Sequence, residues 1–310
     1  MNKKSKIYVA GHKGMIGSAI CRALEKRGYI NVISKTHKAL DLTRQDKVER
    51  FFAKERPDYV FLAAARVGGI HANNAYPAEF IYQNTMIQSN IIHSSYLHHV
   101  KKLFFLASSC VFPKKTGQPM REDSLMTGLM EPTNEPYGLA KLNGINMCQS
   151  YRRQFDCNFI SAIPANTYGI NDHFDENGHV LAALIGKFHA AKMNGDSEVP
   201  LWGTGKPKRE FLYADDLADA CLFLMRRYNA PEPINIGIGR ETSIKQLAQL
   251  IAKVVGFKGK LAFDTSKPDG NPRRLVDSSR IRELGWKPKT TLEDGLVKTY
   301  RWYCETLVRK

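Results

Sequence analysis

KIYVAGHKGMIGSAICRAL, residues 6–24, decides how this chain is read. Residues 6–10 are a short apolar run and predict a strand. Glycines follow at positions 11, 14 and 17. Then Ile20, Ala23 and Leu24 repeat at helical spacing, predicting a helix over 18–27. The spacing is GxxGxxG rather than the GxGxxG of many dinucleotide folds, but the physics is shared. Glycine lets the backbone approach a pyrophosphate, and a helix N-terminus offers free N–H groups and positive potential. Gly11, His12, Lys13, Gly14, Met15, Ile16 and Gly17 are therefore the candidate dinucleotide-binding turn.

Working outward, strands and helices alternate. Further strands are predicted at 31–35, 59–65, 102–108 and 159–163, and helices at 47–55, 78–99 and 137–155. The run 59–65 is continuously apolar, as a buried parallel strand should be. Repeated β-α units predict an α/β fold with a doubly wound parallel sheet of Rossmann type and right-handed crossovers. Beyond this, shorter elements are interrupted by Pro, Gly and charge, with helices predicted at 180–192, 214–227, 243–255 and 292–305. We expect residues 1–170 to form the cofactor-binding core, completed by parts of 210–240. Residues 171–310 would be mostly a smaller α/β substrate lobe.

Composition excludes several classes. The chain has 310 residues, 43% of them hydrophobic, so it is neither disordered nor too short for a large core. No apolar run approaches the roughly 20 residues of a membrane span. The net charge of +16 raises the question of nucleic acid. The charges, however, are scattered pairs such as Lys101–Lys102 and Arg226–Arg227, not one stripe, and anionic phosphate ligands fit them better. The six cysteines include no CxxC pair or His/Cys cluster, so neither a metal site nor a disulfide framework is expected. The basic N-terminus is followed by no apolar signal segment, and a cytoplasmic location is expected.

An NAD site wants a carboxylate about 20 residues after the glycines. Here the neighbourhood is Lys35-Thr36-His37-Lys38. Basic residues suit a 2′-phosphate, which points to NADP(H), with Lys13 as a second cation. Asp41 is placed to accept from the adenine amino group. Tyr137 and Lys141 stand four apart on a predicted helix and share a face. An ammonium beside a phenol is expected to lower its pKa and poise it as a general acid/base. Ser108 closes a strand at the carboxyl edge, where doubly wound sheets bind ligands, and can polarise a carbonyl.

Together these features resemble the extended short-chain dehydrogenase/reductase family and, within it, the GDP-L-fucose synthases, which are 3,5-epimerase-4-reductases of GDP-4-keto-6-deoxy-mannose. The resemblance spans nearly the whole chain. It includes Ala63-Ala64-Ala65-Arg66-Val67-Gly68-Gly69-Ile70, residues 77–90, Ser108-Ser109-Cys110, Glu131-Pro132-Thr133-Asn134-Glu135-Pro136-Tyr137, Trp202-Gly203-Thr204-Gly205, Arg209-Glu210-Phe211 and Lys267-Pro268-Asp269-Gly270. It implies that Ser108, Tyr137 and Lys141 form the reductase set. Cys110 and His179 would be the base and acid that epimerise C3 and C5. Pro164, Ala165, Asn166, Thr167 and His179 would border the nicotinamide, and Lys187, Trp202, Arg209 and Asp269 would meet the GDP-sugar. A homodimer through the helices at 78–99 and 137–155 is implied as well. The sequence departs from the family where Arg is usual at His37 and Pro-His is usual at Ile170-Asn171. A related GDP-4-keto-6-deoxy sugar, such as a heptose, is the alternative substrate.

Overall fold

The structure is a computed structural model that describes residues 1–175, 178–267 and 269–308. Pro268 of the Lys267–Gly270 motif and residues 176 and 177 before His179 lie outside the described residues. The first half runs β1 (Ile7–Ala10), α1 (Met15–Lys26), β2 (Val32–Ile33), α2 (Gln45–Glu55), β3 (Tyr59–Leu62), α3 (Ile70–Ala75), α4 (Pro77–Leu97), β4 (Lys102–Leu106), α5 (Glu135–Phe155) and β5 (Phe159–Pro164). All residues of β1, β4 and β5 are buried, the mark of parallel strands covered on both faces. Prolines occupy the first turns of α4 and α5, where a missing N–H costs nothing.

The second half contains β6 (Asn166–Tyr168), α6 (Val180–Asn194), β7 (Glu198–Trp202), β8 (Lys208–Arg209), β9 (Phe211–Tyr213), α7 (Ala214–Arg227), β10 (Ile234–Ile236), β11 (Thr242–Ser243), α8 (Ile244–Val255), β12 (Lys260–Asp264), β13 (Arg273–Arg274), α9 (Ser279–Glu283) and α10 (Leu292–Tyr303). Six strands form the main sheet in the order β10-β5-β4-β3-β1-β2, every pair parallel. The order reverses between β1 and β3, and that switch point opens the crevice for a ligand. Helix α1 packs on α7, while α4 packs on α5 and α2.

A second apolar core gathers Leu181, Ile185 and Phe188 of α6 with Leu247, Ile251 and Val255 of α8 and Leu296 of α10. Strand β7 pairs in parallel with β12 beside it. The chain then returns, and Val276, Ile281 and Trp286 bury themselves in the first core. No helix among the described residues is long and apolar enough to cross a membrane.

Two expectations change. The strand expected at 31–35 narrows to Val32–Ile33, an edge strand that is only half-buried. Helix α3, which no apolar period announced, forms immediately after the Gly68-Gly69 pair.

Candidate active site

The glycine turn separates what the fold requires from what it leaves open. Gly11 sits at φ +88°, and a Cβ there would lie 2.7 Å from Ala64 N. A Cβ on Gly17 would lie 2.0 Å from the Gly11 carbonyl oxygen. Both are demanded by the chain itself. Gly14 is not, since the nearest atom to a Cβ there is 3.5 Å away and its φ is −76°. The opening beside it lies at the start of α1, whose N-terminus has no side-chain cap. Free N–H groups and helix potential there fit a pyrophosphate. His12 adds a buried Nδ1 with no partner among the described residues. Burial, then Lys13, holds its imidazole below the usual histidine range.

Beyond β2, Lys35, His37 and Lys38 are exposed, with His37 Nδ1 4.0 Å from Asp41 Oδ1. That Asp41 oxygen already accepts from Thr43 N (3.0 Å) and Thr43 Oγ1 (2.7 Å).

At the carboxyl end of β4, Ser108 Oγ accepts from Cys110 N at 3.4 Å and caps the 3₁₀ turn Ser109–Val111. This turn lies against the start of α5. A Cβ on Gly138 would lie 2.8 Å from the Cys110 carbonyl oxygen, so only glycine admits the approach. Tyr137, the preceding residue, lies close enough to Ser108 for that side chain to act on its phenol. Its ring meets Phe80 edge-on at 6.1 Å. Lys141, one turn along and 3% exposed, donates to the Leu106 carbonyl at 2.9 Å. Its Nζ lies 6.0 Å from the centre of the Tyr137 ring.

The electrostatics reverse the expectation of a lowered phenol. Burial pushes Tyr137 up, Cys110 adds to the rise, and only the Ser108 side chain opposes it. Burial also pulls Lys141 down to about 7. Desolvation penalises both charged forms, and the lysine's hydrogen bond goes to a carbonyl rather than to the phenol. Cys110 Sγ accepts from Asn134 Nδ2 at 3.2 Å.

Phe80 also lines a cleft of about 410 Å³ shared with Arg66, Tyr76 and His173. Arg66 Nη2 pairs with Glu79 Oε2 at 2.8 Å. The guanidinium lies over Tyr76 and Phe80, and its Nε is buried without a partner among the described residues. His179 precedes α6 and its side chain is exposed. Desolvation by the protein around it, and then His173, hold its imidazole below the usual histidine range. No hydrogen bond joins His179 to Cys110 among the described residues, and the Cys110 sulfur is met by Asn134. Residues 164–167 end β5 and begin β6, at the same carboxyl edge of the sheet.

Farther along, Arg209 and Arg274 stand opposite each other on β8 and β13. Burial, then Arg274, pulls Arg209 down to about 10. Neither guanidinium has a carboxylate partner among the described residues, so the pair suits a diphosphate. Trp202 is 73% exposed, with Lys267 Nζ 6.0 Å from its ring. Asp269 spends both oxygens on Thr204, accepting from its N (2.8 Å) and Oγ1 (2.6 Å). Lys187 donates to the Pro200 carbonyl. Asp269 and Lys187 therefore brace the loops beside Trp202 in this structure. Sequence reasoning assigned no role to Asn134, Arg66, His173 or Arg274. For Arg66 a signal existed, because it follows β3 at the ligand-binding edge.

The chain is similar over its whole length to proteins already known. Residues 7–237 match the NAD dependent epimerase/dehydratase family. GDP-L-fucose synthase 1 of Arabidopsis thaliana is 56% identical over 310 residues, covering 100% of this chain and 96% of its own length. The crystal structure of a GDP-D-glycero-L-gluco-heptose synthase from Campylobacter jejuni in the presence of NADPH is 40% identical, with a TM-score of 0.90 and 99% coverage of both chains. That of a GDP-L-fucose synthetase from Naegleria fowleri bound to NADP is 32% identical, with a TM-score of 0.91, covering 98% of this chain and 95% of its own. A glycine turn at a sheet switch point, a Ser-Tyr-Lys set at the carboxyl edge and full-length likeness converge on one assignment: the chain belongs to the NAD dependent epimerase/dehydratase family, in the branch of the GDP-L-fucose synthases.

Proposed function

We propose that this protein converts GDP-4-keto-6-deoxy-mannose to GDP-L-fucose, epimerising C3 and C5 and reducing C4 with NADPH. The observation that carries this is the single turn after β4, which presents Ser108 to Tyr137 and Cys110 two residues on. The full-length likeness to GDP-L-fucose synthases favours fucose over a heptose product.

Residues 11–17 would hold the cofactor pyrophosphate, where Gly14 leaves room and the start of α1 leaves donors. Lys35, His37 and Lys38 would take the 2′-phosphate, and the free oxygen of Asp41 the adenine. Residues 164–167, Lys141 and His179 would border the nicotinamide. When bound, NADPH supplies the hydride for C4. The Ser108 and Tyr137 hydroxyls meet the ketone oxygen, and Tyr137 delivers the proton that completes the alcohol. For epimerisation, the Cys110 thiolate takes a proton beside the ketone. An S–H bond forms, the C–H bond breaks, and its electron pair moves to the carbonyl oxygen. His179 returns a proton to the other face. Arg209 meets the diphosphate and Trp202 offers a stacking face, while Lys187 and Asp269 hold that region of the substrate site.

The proposal includes residues 1–170 with parts of 210–240 as the cofactor unit, and most of 171–310 as the substrate lobe. It also includes a homodimer through α4 and α5, supported by Tyr82 (62% exposed) and Leu139 (44% exposed) on those helices. A cytoplasmic location is supported by six unpaired cysteines. The test is incubation with GDP-4-keto-6-deoxy-mannose and NADPH, with the product read by NMR. GDP-L-fucose is expected. A C4-reduced product with unchanged C3 and C5, or turnover only of heptose substrates, would overturn the proposal.

A further inference from the structure

Asparagine is among the best N-cap residues, because its side-chain oxygen satisfies the first free N–H groups of a helix. Asn134 occupies the N-cap position of α5, yet its side chain makes no capping bond. The amide points elsewhere, with Nδ2 3.2 Å from Cys110 Sγ. Its Oδ1 is buried without a partner among the described residues. The side chain is therefore held through the sulfur, and the capping bond is forgone.

We propose that Asn134 is the positioning residue for the Cys110 base, its amide N–H holding the sulfur and favouring the thiolate. This rests on the epimerase reading of Cys110 given above. The chemistry is one-directional. A thiol can donate or accept, but a thiolate can only accept, so ionisation fixes Nδ2 toward sulfur. A donor on the charged form stabilises it. When the thiolate takes a proton from substrate carbon, the S–H bond forms and the amide contact weakens, so the contact favours the base before reaction.

Among the described residues, the charged groups given beside the turn bond its backbone or one another. Arg274 Nη2 donates to the Ser109 carbonyl at 2.6 Å. Asn271, in the amide orientation that satisfies its neighbours, bridges Arg274 Nη1 (3.2 Å) and Glu131 Oε2 (3.1 Å). Glu131 is in turn paired with Lys114 at 3.2 Å. From α5, Tyr137 faces the thiol as a neutral phenol. Asn134 is thus the side chain that touches the sulfur directly.

The test uses the NADP⁺-bound enzyme and iodoacetamide, with alkylation of Cys110 followed by peptide mass spectrometry from pH 6 to 10. For Asn134→Ala we expect alkylation about three- to tenfold slower at pH 7, converging with the wild type at high pH. Asn134→Asp keeps the shape but puts a carboxylate beside the sulfur, and should be slower still. Solvent-deuterium exchange into the keto-sugar should fall by the same factors, with its pH profile displaced upward. Because the side chain caps nothing, thermal stability should hold. If the alanine variant misfolds, the isosteric aspartate variant decides. Superimposed alkylation profiles would overturn the role of Asn134. A wild-type enzyme that exchanges no deuterium would instead overturn the epimerase reading, while the alkylation profile still decides whether the amide stabilises the thiolate.

Discussion

Lys141 is a functional group held at a measurable cost to the fold, and Lys141→Met exposes that cost. The side chain is 3% exposed, and burial lowers its pKa from the ordinary 10.5 to about 7. At 1.36 kcal/mol per pH unit this corresponds to about 5 kcal/mol against the charged form. Methionine has similar length and no charge, but it leaves the Leu106 carbonyl without its 2.9 Å donor, at about 1–3 kcal/mol. Below pH 7 the variant should therefore be more stable than the wild type by about 2–4 kcal/mol. Between about 7 and 10.5 the unfolded chain holds a proton that the native lysine lacks, so wild-type stability rises with pH across that window. Near pH 10 the penalty has gone while the hydrogen bond remains, and the wild type should be the more stable. Urea unfolding of cofactor-free protein at several pH values measures the crossing. NADP⁺ should stabilise the wild type more than the variant, and the variant should lose reductase activity. A stability difference that is the same at pH 6.5 and pH 10 would refute the reasoning.

Tyr137→Phe should lower turnover by about 10²–10⁴, the usual worth of a placed proton donor, while NADPH binding by fluorescence stays unchanged. Gly17→Ala should fail to fold or lose several kcal/mol, because its Cβ would meet the Gly11 carbonyl at 2.0 Å. Gly14→Ala should melt near the wild-type temperature and weaken cofactor binding. NADPH should be used with higher kcat/KM than NADH, and charge removal at Lys35 and Lys38 should narrow the ratio. Cys110→Ser should lose deuterium exchange at C3 and C5, since a hydroxyl is almost never ionised, while NADPH oxidation by the keto-sugar persists.

What the sequence showed and what it hid follow from how local each feature is. Strands β1, β3, β4 and β5 are apolar runs interrupted only by Lys102 and Ser161, so their burial is written in nearly consecutive residues. The two-residue strands β8, β11 and β13 exist only because distant segments meet, and no local period marks them. The site divides in the same way. Ser108, Tyr137 and Lys141 announce themselves through strand end and helical spacing. Asn134 stands just before α5, and nothing in the sequence turns its amide toward sulfur. Arg274 reaches Ser109 across 165 positions of chain. The protonation of Tyr137 and Lys141 was misjudged because pairing was weighed without burial, and burial is a property of the assembled core.

On the proposed reading, both activities use one ketone, and this explains their placement on one turn. Protons at C3 and C5 are acidic only because C4 is a carbonyl that can receive the electron pair. Polarising that oxygen therefore favours both epimerisations and the reduction, and Ser108 and Tyr137 serve all three. Chemistry then sets the order. Once C4 is an alcohol, its neighbours are no longer acidic, so exchange has to precede reduction. The raised Tyr137 phenol suits this sequence. A strongly acidic phenol would surrender its proton to the enolate oxygen and release the intermediate as a free enol. One pushed up by burial keeps its proton and donates a hydrogen bond while Cys110 works. It gives the proton up only to the far more basic alkoxide that forms when C4 is reduced. The desolvation that overturned the expectation of a lowered phenol is thus what lets one tyrosine attend two reactions in order.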